Sequence, residues 1–418
     1  MKRPIIAAIV SQHVEDAIVL HGNRTLLTTA PHSALKYLRR FDDRLVAHLD
    51  GISVAGEQGA GLLNAALDPV SSSGLFVTAV GAIKERPQEL NRLIELAYAA
   101  PEALRGLLSA LGWVGPQRLQ GTAASSLAGD DPFRRRLGLA ACRLHGVDPG
   151  PALLAGLKDE SPIVRAEALR TAGELGRHQL VSGFAAVNDD DPDCAFWAAW
   201  SAVLLGDRER ALTMLTAIGL TDGRPYRMRA FRLALRARSP VAAHDALQRL
   251  HGDPKQLRWL IQGSGINGDP TYGPWLIKHM IDDKVARIAG EAFSLMTGTD
   301  LALLDLERKP PANVEAGPND DPNDPNVAMD EDDGLPWPDP EKCAAWWNAN
   351  KHRFQEGARY FMGKPPSREH CIQVLKTGFQ RQRVAAAEYL TLLTPGTPLF
   401  NTAAPTWRQQ RLLEAMTT

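Results

Sequence analysis

Apolar residues recur along most of this chain at the three- and four-residue spacing of an amphipathic helix. The clearest stretch lies between residues 31 and 56, where five apolar side chains share one helical face: Leu35, Leu38, Leu45, Leu49 and Ile52. No block of alternating polar and apolar residues, the pattern typical of a strand, competes with this assignment. The sequence therefore predicts an all-α protein.

An internal repeat of thirty residues is the most informative pattern. Each copy opens with a proline that follows Asp or Ser, at Asp131-Pro132, Ser161-Pro162 and Asp191-Pro192. A helix-like run then ends at a glycine in each copy, at Gly146, Gly176 and Gly206. Asp and Ser cap helices, Pro fits the first helical position, and Gly accepts the left-handed conformation that ends a helix. We therefore predict one helix per copy with these limits.

A second, shorter apolar run follows each of these helices. The three runs read PALLAGL, HQLVSGFAAV and ERALTMLTAIG. Two helices per thirty residues form the unit of an α-solenoid, in which neighbours must stack because one unit cannot bury its apolar face alone. The pattern resembles short HEAT-like repeats, which often carry an arginine at the position of Arg135 and Arg165; Ala195 departs from it in the third copy.

Composition divides the chain into four predicted segments. Residues 1–83 form an N-terminal helical cap, residues 84–309 a HEAT-like repeat array, and residues 342–418 a C-terminal helical segment. Between the last two, residues 310–341 hold eight prolines and ten acidic residues, with no Lys or Arg. Such a segment cannot bury enough apolar surface to fold alone, so we predict an acidic linker.

Charge and cysteine usage exclude several classes of protein. The 418 residues carry 47 Lys plus Arg against 48 Asp plus Glu, whereas a general nucleic-acid binder is normally basic. The four cysteines have no C-x-x-C spacing, which fits a reducing compartment. We see no signal peptide and no run of about 20 apolar residues, so we expect a cytoplasmic protein without a membrane span.

No spacing of histidines, cysteines or glycines indicates a metal, cofactor or catalytic site. The eleven histidines include no H-E-x-x-H motif, and Gly59-Ala60-Gly61 lacks the Lys-Ser/Thr ending of a phosphate-binding loop. We therefore predict no catalytic residue, no cofactor and no bound metal.

Three groups of residues are candidates for binding a protein, and the repeat arginines Arg135 and Arg165 are the first of them. Arg229, Arg232 and Arg236 share one helical face, which fits an acidic partner surface, the chain's own acidic linker or nucleic acid. An exposed face of mixed charge is the plainer alternative. Trp346 and Trp347 follow the linker and are typical of binding hot spots, although buried tryptophans are also common, as we expect for Trp113, Trp197 and Trp200.

A charged block near the N-terminus allows two interpretations. Asp42-Asp43-Arg44, with His48 and Asp50, could form an acid–base or metal cluster. Salt bridges at a helix end that seats the cap on the first repeat are favoured, because no partner for catalysis is evident. We read Asp50-Gly51 as the end of that helix and residues 71–74 as a loop.

Two sequence blocks resemble a known family. The first comprises QHVEDA from Gln12, FDDRLVAHLDG from Phe41, and Ala55-Gly56; the second comprises LPWPDP from Leu335, Trp346-Trp347, and GARYFMG from Gly357. Together they are similar to a proteobacterial family of uncharacterised proteins with degenerate HEAT-like repeats, whose genes often lie in type VI secretion clusters. The resemblance implies structural roles for seven block residues, namely Asp43, Arg44, His48, Asp50, Gly51, Arg359 and Gly363.

These observations favour a non-enzymatic protein-binding scaffold. The resemblance implies an adaptor or chaperone-like accessory protein, whose partner is a type VI secretion effector, tip or spike component. An immunity protein that neutralises a cognate toxin is the alternative, and an enzyme of unknown type is less favoured. Binding to further copies of the same chain also stays open.

Overall fold

The computed structural model describes residues 5–180, 184, 190–312 and 330–417. These residues confirm the all-α prediction. The described chain has no β-strand, and its β-structure consists of isolated bridge residues, including the pairs Glu307 with Pro338 and Phe361 with Lys364. No helix in the same ranges is both long enough and apolar enough to cross a bilayer.

The chain forms two compact units. The first comprises Met1–Thr29, Ser33–Leu205 and Gly396–Thr418, and the second Ala30–His32 and Gly206–Pro395. The helices begin in the first unit with α1 (Ala7–Leu27), α2 (Leu35–Val54), α3 (Gly56–Ala65), α4 (Ser72–Glu85), α5 (Leu90–Ala99), α6 (Leu104–Trp113), α7 (Gln120–Ala128), α8 (Pro132–His145), α9 (Pro151–Gly156), α10 (Pro162–Glu174) and α11 (Pro192–Leu204).

The second unit contains the next nine helices of the described chain. They are α12 (Arg210–Leu220), α13 (Arg227–Ala237), α14 (Pro240–Gln248), α15 (Leu257–Asn267), α16 (Gly273–His279), α17 (Ala286–Thr297), α18 (Pro340–Asn350), α19 (Arg368–Thr377) and α20 (Gln380–Leu393). The last helix, α21 (Thr406–Ala415), belongs to the first unit.

The thirty-residue repeat has the predicted helix limits. Pro132, Pro162 and Pro192 each occupy the first position of a helix. The glycines that follow these helices have positive φ, 67° at Gly146, 69° at Gly176 and 111° at Gly206. Positive φ is the backbone conformation that glycine adopts without steric cost.

The helix caps differ among the three copies. Asp131 and Asp191 accept hydrogen bonds from backbone N–H groups of the first helical turn, as predicted. Ser161 makes no such side-chain bond. Instead the Asp159 carboxylate accepts from the Ser161 N–H at 2.9 Å, so an aspartate two residues earlier orders this turn.

The long helices stack in chain order within each unit. In the first unit α4, α6, α8, α10 and α11 pack successively, and in the second unit α13, α15 and α17 do so. Shorter helices alternate with them, including α9 and α12 at two of the predicted second runs. The remaining run, HQLVSGFAAV, is the second in chain order. It begins with a 3₁₀ turn at His178–Leu180 and otherwise lies almost wholly outside the described residues. The fold is an α-solenoid of HEAT-like units.

Two predicted boundaries near the N-terminus were wrong. Asp50 and Gly51 lie inside α2, which continues to Val54 because Leu49 and Ile52 keep its apolar face buried. Residues 72–74 are the first turn of α4 rather than a loop, since the Ser71 hydroxyl accepts from the Gly74 N–H at 3.0 Å and caps the helix. Glycine at 51 and 74 misled the prediction.

The apolar positions supply the core that was expected. All five face residues of α2, from Leu35 to Ile52, are buried. Trp113, Trp197 and Trp200 are buried as well, as core tryptophans. The four cysteines are buried free thiols, and burial raises the pKa of Cys343 and of Cys371 to about 12.

Candidate functional site

A cavity in the second unit collects two of the three predicted helix arginines. Its charged and amide lining comes from Arg232 and Arg236 of α13, Gln262 of α15, Glu291 of α17, and Arg381 with Gln382 of α20. It has a volume of about 50 Å³, and aliphatic side chains of α15 and α17 close one wall. We call this space the arginine cavity.

The three guanidinium groups of the arginine cavity differ in their partners. Arg236 is buried and pairs with the buried Glu388, and Arg381 donates to Glu291 at 2.9 Å. Arg232 makes no hydrogen bond or ion pair to any residue that the structure describes. Burial, and then the like charge of Arg236, lowers the pKa of Arg232 to about 10. Arg232 therefore stays charged at neutral pH, and the carboxylates of Glu291 and Glu388 act on it through space without a direct ion pair.

The helix that carries these arginines is not one uniform basic face. Arg229 is exposed, Arg232 is half-buried and Arg236 is buried. Periodicity places the three residues on one side of α13, but it does not reveal that α20 covers the C-terminal end of that side with Glu388. A binding role for these arginines stays a prediction.

The described end of the acidic linker pairs with other arginines. Asp330 binds Arg287 through two hydrogen bonds of 2.6 and 2.8 Å, and the buried Asp332 binds Arg258, at 3.0 Å through one of two contacts. The Arg287 side chain also holds the pKa of Asp330 below its ordinary value. The sequence did not single out Arg258 or Arg287, which stand alone among apolar residues of α15 and α17.

The predicted tryptophan pair divides between core and surface. Trp346 is half-buried and Trp347 is buried, and both rings pack on Phe293. Trp347 also stacks on Phe354 with ring centroids 5.6 Å apart, and these two rings line a wide groove of about 540 Å³. The groove has a mixed lining, with Thr271, Asn348, Lys351 and Glu356 as its polar residues.

Arg135 and Arg165 contact the turns that precede repeat helices. Arg135 binds the Asp159 carboxylate at 2.8 and 3.0 Å, and it donates to the carbonyl oxygen of Asp130 at 2.6 Å. Arg165 donates to the carbonyl oxygens of Asp159 and Glu160, both at 2.8 Å. Both guanidinium groups thus hold the turn that precedes their helix, and their proposed part in partner binding is untested.

The charged block of α2 lies mostly at the surface. Asp43 and Arg44 are exposed, and Asp50 pairs with Lys84 at 3.2 Å. His48 Nδ1 lies 3.0 Å from His13 Nδ1, and burial lowers the pKa of His48. Gly51 provides space for His13, since a Cβ there would meet the imidazole at 2.8 Å. Across the described residues, no group of His, Cys, Asp and Glu is arranged to hold a metal ion.

Asp42 is the member of this block that is buried and bonded to distant segments. The Asp42 carboxylate is fully buried, pairs with the buried Arg24, and accepts from the Thr406 N–H at 2.7 Å. Arg24 also donates to the carbonyl oxygens of Ala403 and Ala404, at 3.2 and 3.1 Å. One feature of the sequence indicates that Asp42 is buried, since it occupies the same helical face as Leu38, Leu45 and Leu49.

A buried histidine forms a second polar cluster that the sequence did not indicate. His21 lies between the hydroxyls of Ser73 and Ser109, each 3.0 Å from one ring nitrogen, and stacks on Phe76. Burial, and then the charge of Arg24, lowers the pKa of His21 to about 3. A neutral, enclosed imidazole of this kind orders the packing of α1 against α4 and α6.

The second family block closes the ends of helices. Arg359 donates to the carbonyl oxygens of Leu235 and Arg236 at the end of α13, and to that of Asn267 at the end of α15. The N–H groups of Met362 and Gly363 donate to carbonyl oxygens of α17, at 2.7 and 3.0 Å. The last carbonyls of a helix lack partners within it, and here a later segment supplies the donors.

One comparison with known proteins found a match. Residues 150–236 match the family model of HEAT repeats. No curated protein and no solved structure matches the chain. The matched residues run from the start of α9 almost to the end of α13 and include two of the three thirty-residue copies. This match, together with the stacked helix pairs, supports a HEAT-like repeat fold for this part of the chain.

Proposed function

We propose that this chain is a protein-binding scaffold that acts as an adaptor for a type VI secretion effector or tip component. The match of residues 150–236 to HEAT repeats carries the scaffold part of the proposal, because stacked repeats offer extended surfaces that hold other macromolecules. The secretion setting rests on the resemblance of the two sequence blocks. Because the step from fold to function is an analogy, the test of this function is which partner the chain binds.

Exposed parts of the second unit are the contact surface that we propose. Arg229 is exposed on α13, and Trp346 is half-buried on α18. An arginine and a tryptophan at an interface commonly contribute more binding energy than their neighbours. We infer that an acidic, partly aromatic partner surface would fit them.

Affinity purification of the tagged chain, from cells that carry the neighbouring secretion genes, tests this function. The expected result is recovery of an effector or tip component, with weaker recovery by Arg229→Glu and Trp346→Ala. Arg249→Glu is the matched control, since Arg249 is an exposed arginine of the same unit. Recovery of no secretion component would contradict the adaptor proposal.

The activity of the recovered effector separates the adaptor from the immunity protein. An adaptor binds a delivery region and leaves the toxic activity of the bound effector intact. An immunity protein abolishes that activity at a one-to-one ratio. A partner whose activity disappears in the complex would replace the adaptor proposal with the alternative.

A further inference from the structure

The three arginines of the arginine cavity have two directly paired carboxylates among the residues that the structure describes. Arg236 is paired with Glu388 and Arg381 with Glu291, whereas Arg232 has no such partner in the described chain. Arg232 is half-buried and, in the described chain, has no carboxylate at hydrogen-bond distance to offset the partial desolvation of its guanidinium group.

The shape and lining of the cavity indicate which anion would fit. A guanidinium group presents a planar fork of N–H donors that matches the two oxygens of a carboxylate. Part of the lining is aliphatic and comes from Ile266, Ile288 and Leu295. Since Ile266 and Ile288 are themselves buried, this part of the lining suits a short hydrocarbon stem better than a second polar group.

We propose that the arginine cavity binds one carboxylate carried on a short aliphatic stem, with Arg232 as its main ligand. Arg236 and Arg381 add to the positive potential, and the amides of Gln262 and Gln382 provide further donors at the lining. The carboxylate belongs either to a free small organic acid or to an acidic side chain of a protein partner. The proposal rests on the cavity alone and would stand if the secretion adaptor function failed.

Thermal unfolding of the full chain with two probes tests this site. Sodium propionate represents a free acid, and the peptide N-acetyl-Ala-Glu-Ala-amide represents an acidic side chain. A ligand that binds only the folded state should raise the melting temperature in a saturable manner, by about 3 °C at ten times its Kd. Sodium chloride at equal concentration, and the matching peptide with Gln in place of Glu, are the controls.

Two variants connect the response to the cavity. Arg232→Met should abolish the rise while the melting temperature of the free protein stays equal or increases, because an unpaired charge is removed. Glu291→Gln should tighten binding several-fold, since Arg381 then loses its own carboxylate. Arg249→Gln, which removes an exposed arginine of the same unit, should respond like the unchanged protein.

Each outcome decides the proposal. A response to propionate alone assigns the site to free acids, a response to the peptide alone assigns it to a partner's side chain, and both support a carboxylate site. The absence of a saturable shift in both the unchanged protein and Glu291→Gln would overturn it. An undiminished shift in Arg232→Met would overturn it as well.

Discussion

Two neighbouring aspartates of α2 have opposite environments at the residue scale. The Asp42 carboxylate is fully buried and receives hydrogen bonds from Arg24 and from the Thr406 N–H. The Asp43 side chain is 66% exposed and pairs with Arg39 at 3.6 Å on the surface. A surface pair of this kind contributes less than about 1 kcal/mol, whereas breaking a buried pair leaves an uncompensated charge.

Asp42→Asn should therefore lower the free energy of unfolding by about 3 kcal/mol. The amide keeps the shape of the carboxylate but removes the negative charge that Arg24 requires. Asp43→Asn is the matched control and should change the free energy of unfolding by less than about 0.5 kcal/mol. Urea unfolding followed by circular dichroism measures both, and equal effects would mean that the Arg24–Asp42 pair does not stabilise the fold.

At the scale of the element, two equivalent glycines differ in what surrounds them. Gly146 and Gly176 follow the first helices of successive repeats with nearly the same φ, 67° and 69°. A Cβ at Gly146 would meet nothing within 4 Å, but at Gly176 it would lie 2.2 Å from the carbonyl oxygen of Gly396. Both glycines therefore have a positive φ, but of the two only Gly176 also lies close to another backbone segment, at Gly396.

Gly146→Ala should destabilise the chain by roughly 1 kcal/mol, the cost of a left-handed alanine. Gly176→Ala should cost about 3 kcal/mol, because residues 396–398 must also move away from the added methyl group. The difference in the free energy of unfolding between the two variants is the quantity to measure. Equal losses would show that residues 396–398 do not pack on the end of α10 in solution.

Local features could be read from the sequence, and contacts between distant segments could not. The Pro and Gly positions of the repeat act within one helix, so their spacing predicted α8, α10 and α11. Arg24 binds the carbonyl oxygen of Ala404, 380 residues away, and Arg359 binds those of Leu235 and Arg236. Nothing in the local pattern specifies such partners. For the same reason the sequence identified Arg232 and Arg236 but missed Arg381, which completes the cavity from α20.

At the scale of the whole molecule, the residues after 395 complete the first unit. Arg408 donates to the carbonyl oxygens of Gly112 and Leu144, beside the ends of α6 and α8, at 2.9 and 3.0 Å. The Leu399 N–H donates to the carbonyl oxygen of Glu174 at the end of α10. These bonds satisfy helix carbonyls that have no partner within their own helices. Residues 354–364 close α13, α15 and α17 of the second unit in the same manner.

Deletion of residues 396–418 should therefore destabilise the first unit far more than deletion of an exposed terminal segment of the same length would. It leaves Arg24 and Asp42 without their backbone partners and uncovers Trp113, whose ring lies 4.9 Å from that of Trp407. We expect a lower melting temperature and faster hydrogen exchange in α2, α6 and α8, because their local opening becomes less costly.

A shorter deletion and the separate peptide make that experiment decisive. Removal of residues 416–418 alone should have little effect, since α21 ends at Ala415 and every contact of Asp42, Trp113 and Arg408 stays in place. A synthetic peptide of residues 396–418, added to the longer deletion, should restore protection in α2 and α6, because its contacts need no covalent connection. Unchanged exchange in the longer deletion would mean that these helices keep their packing without the final segment.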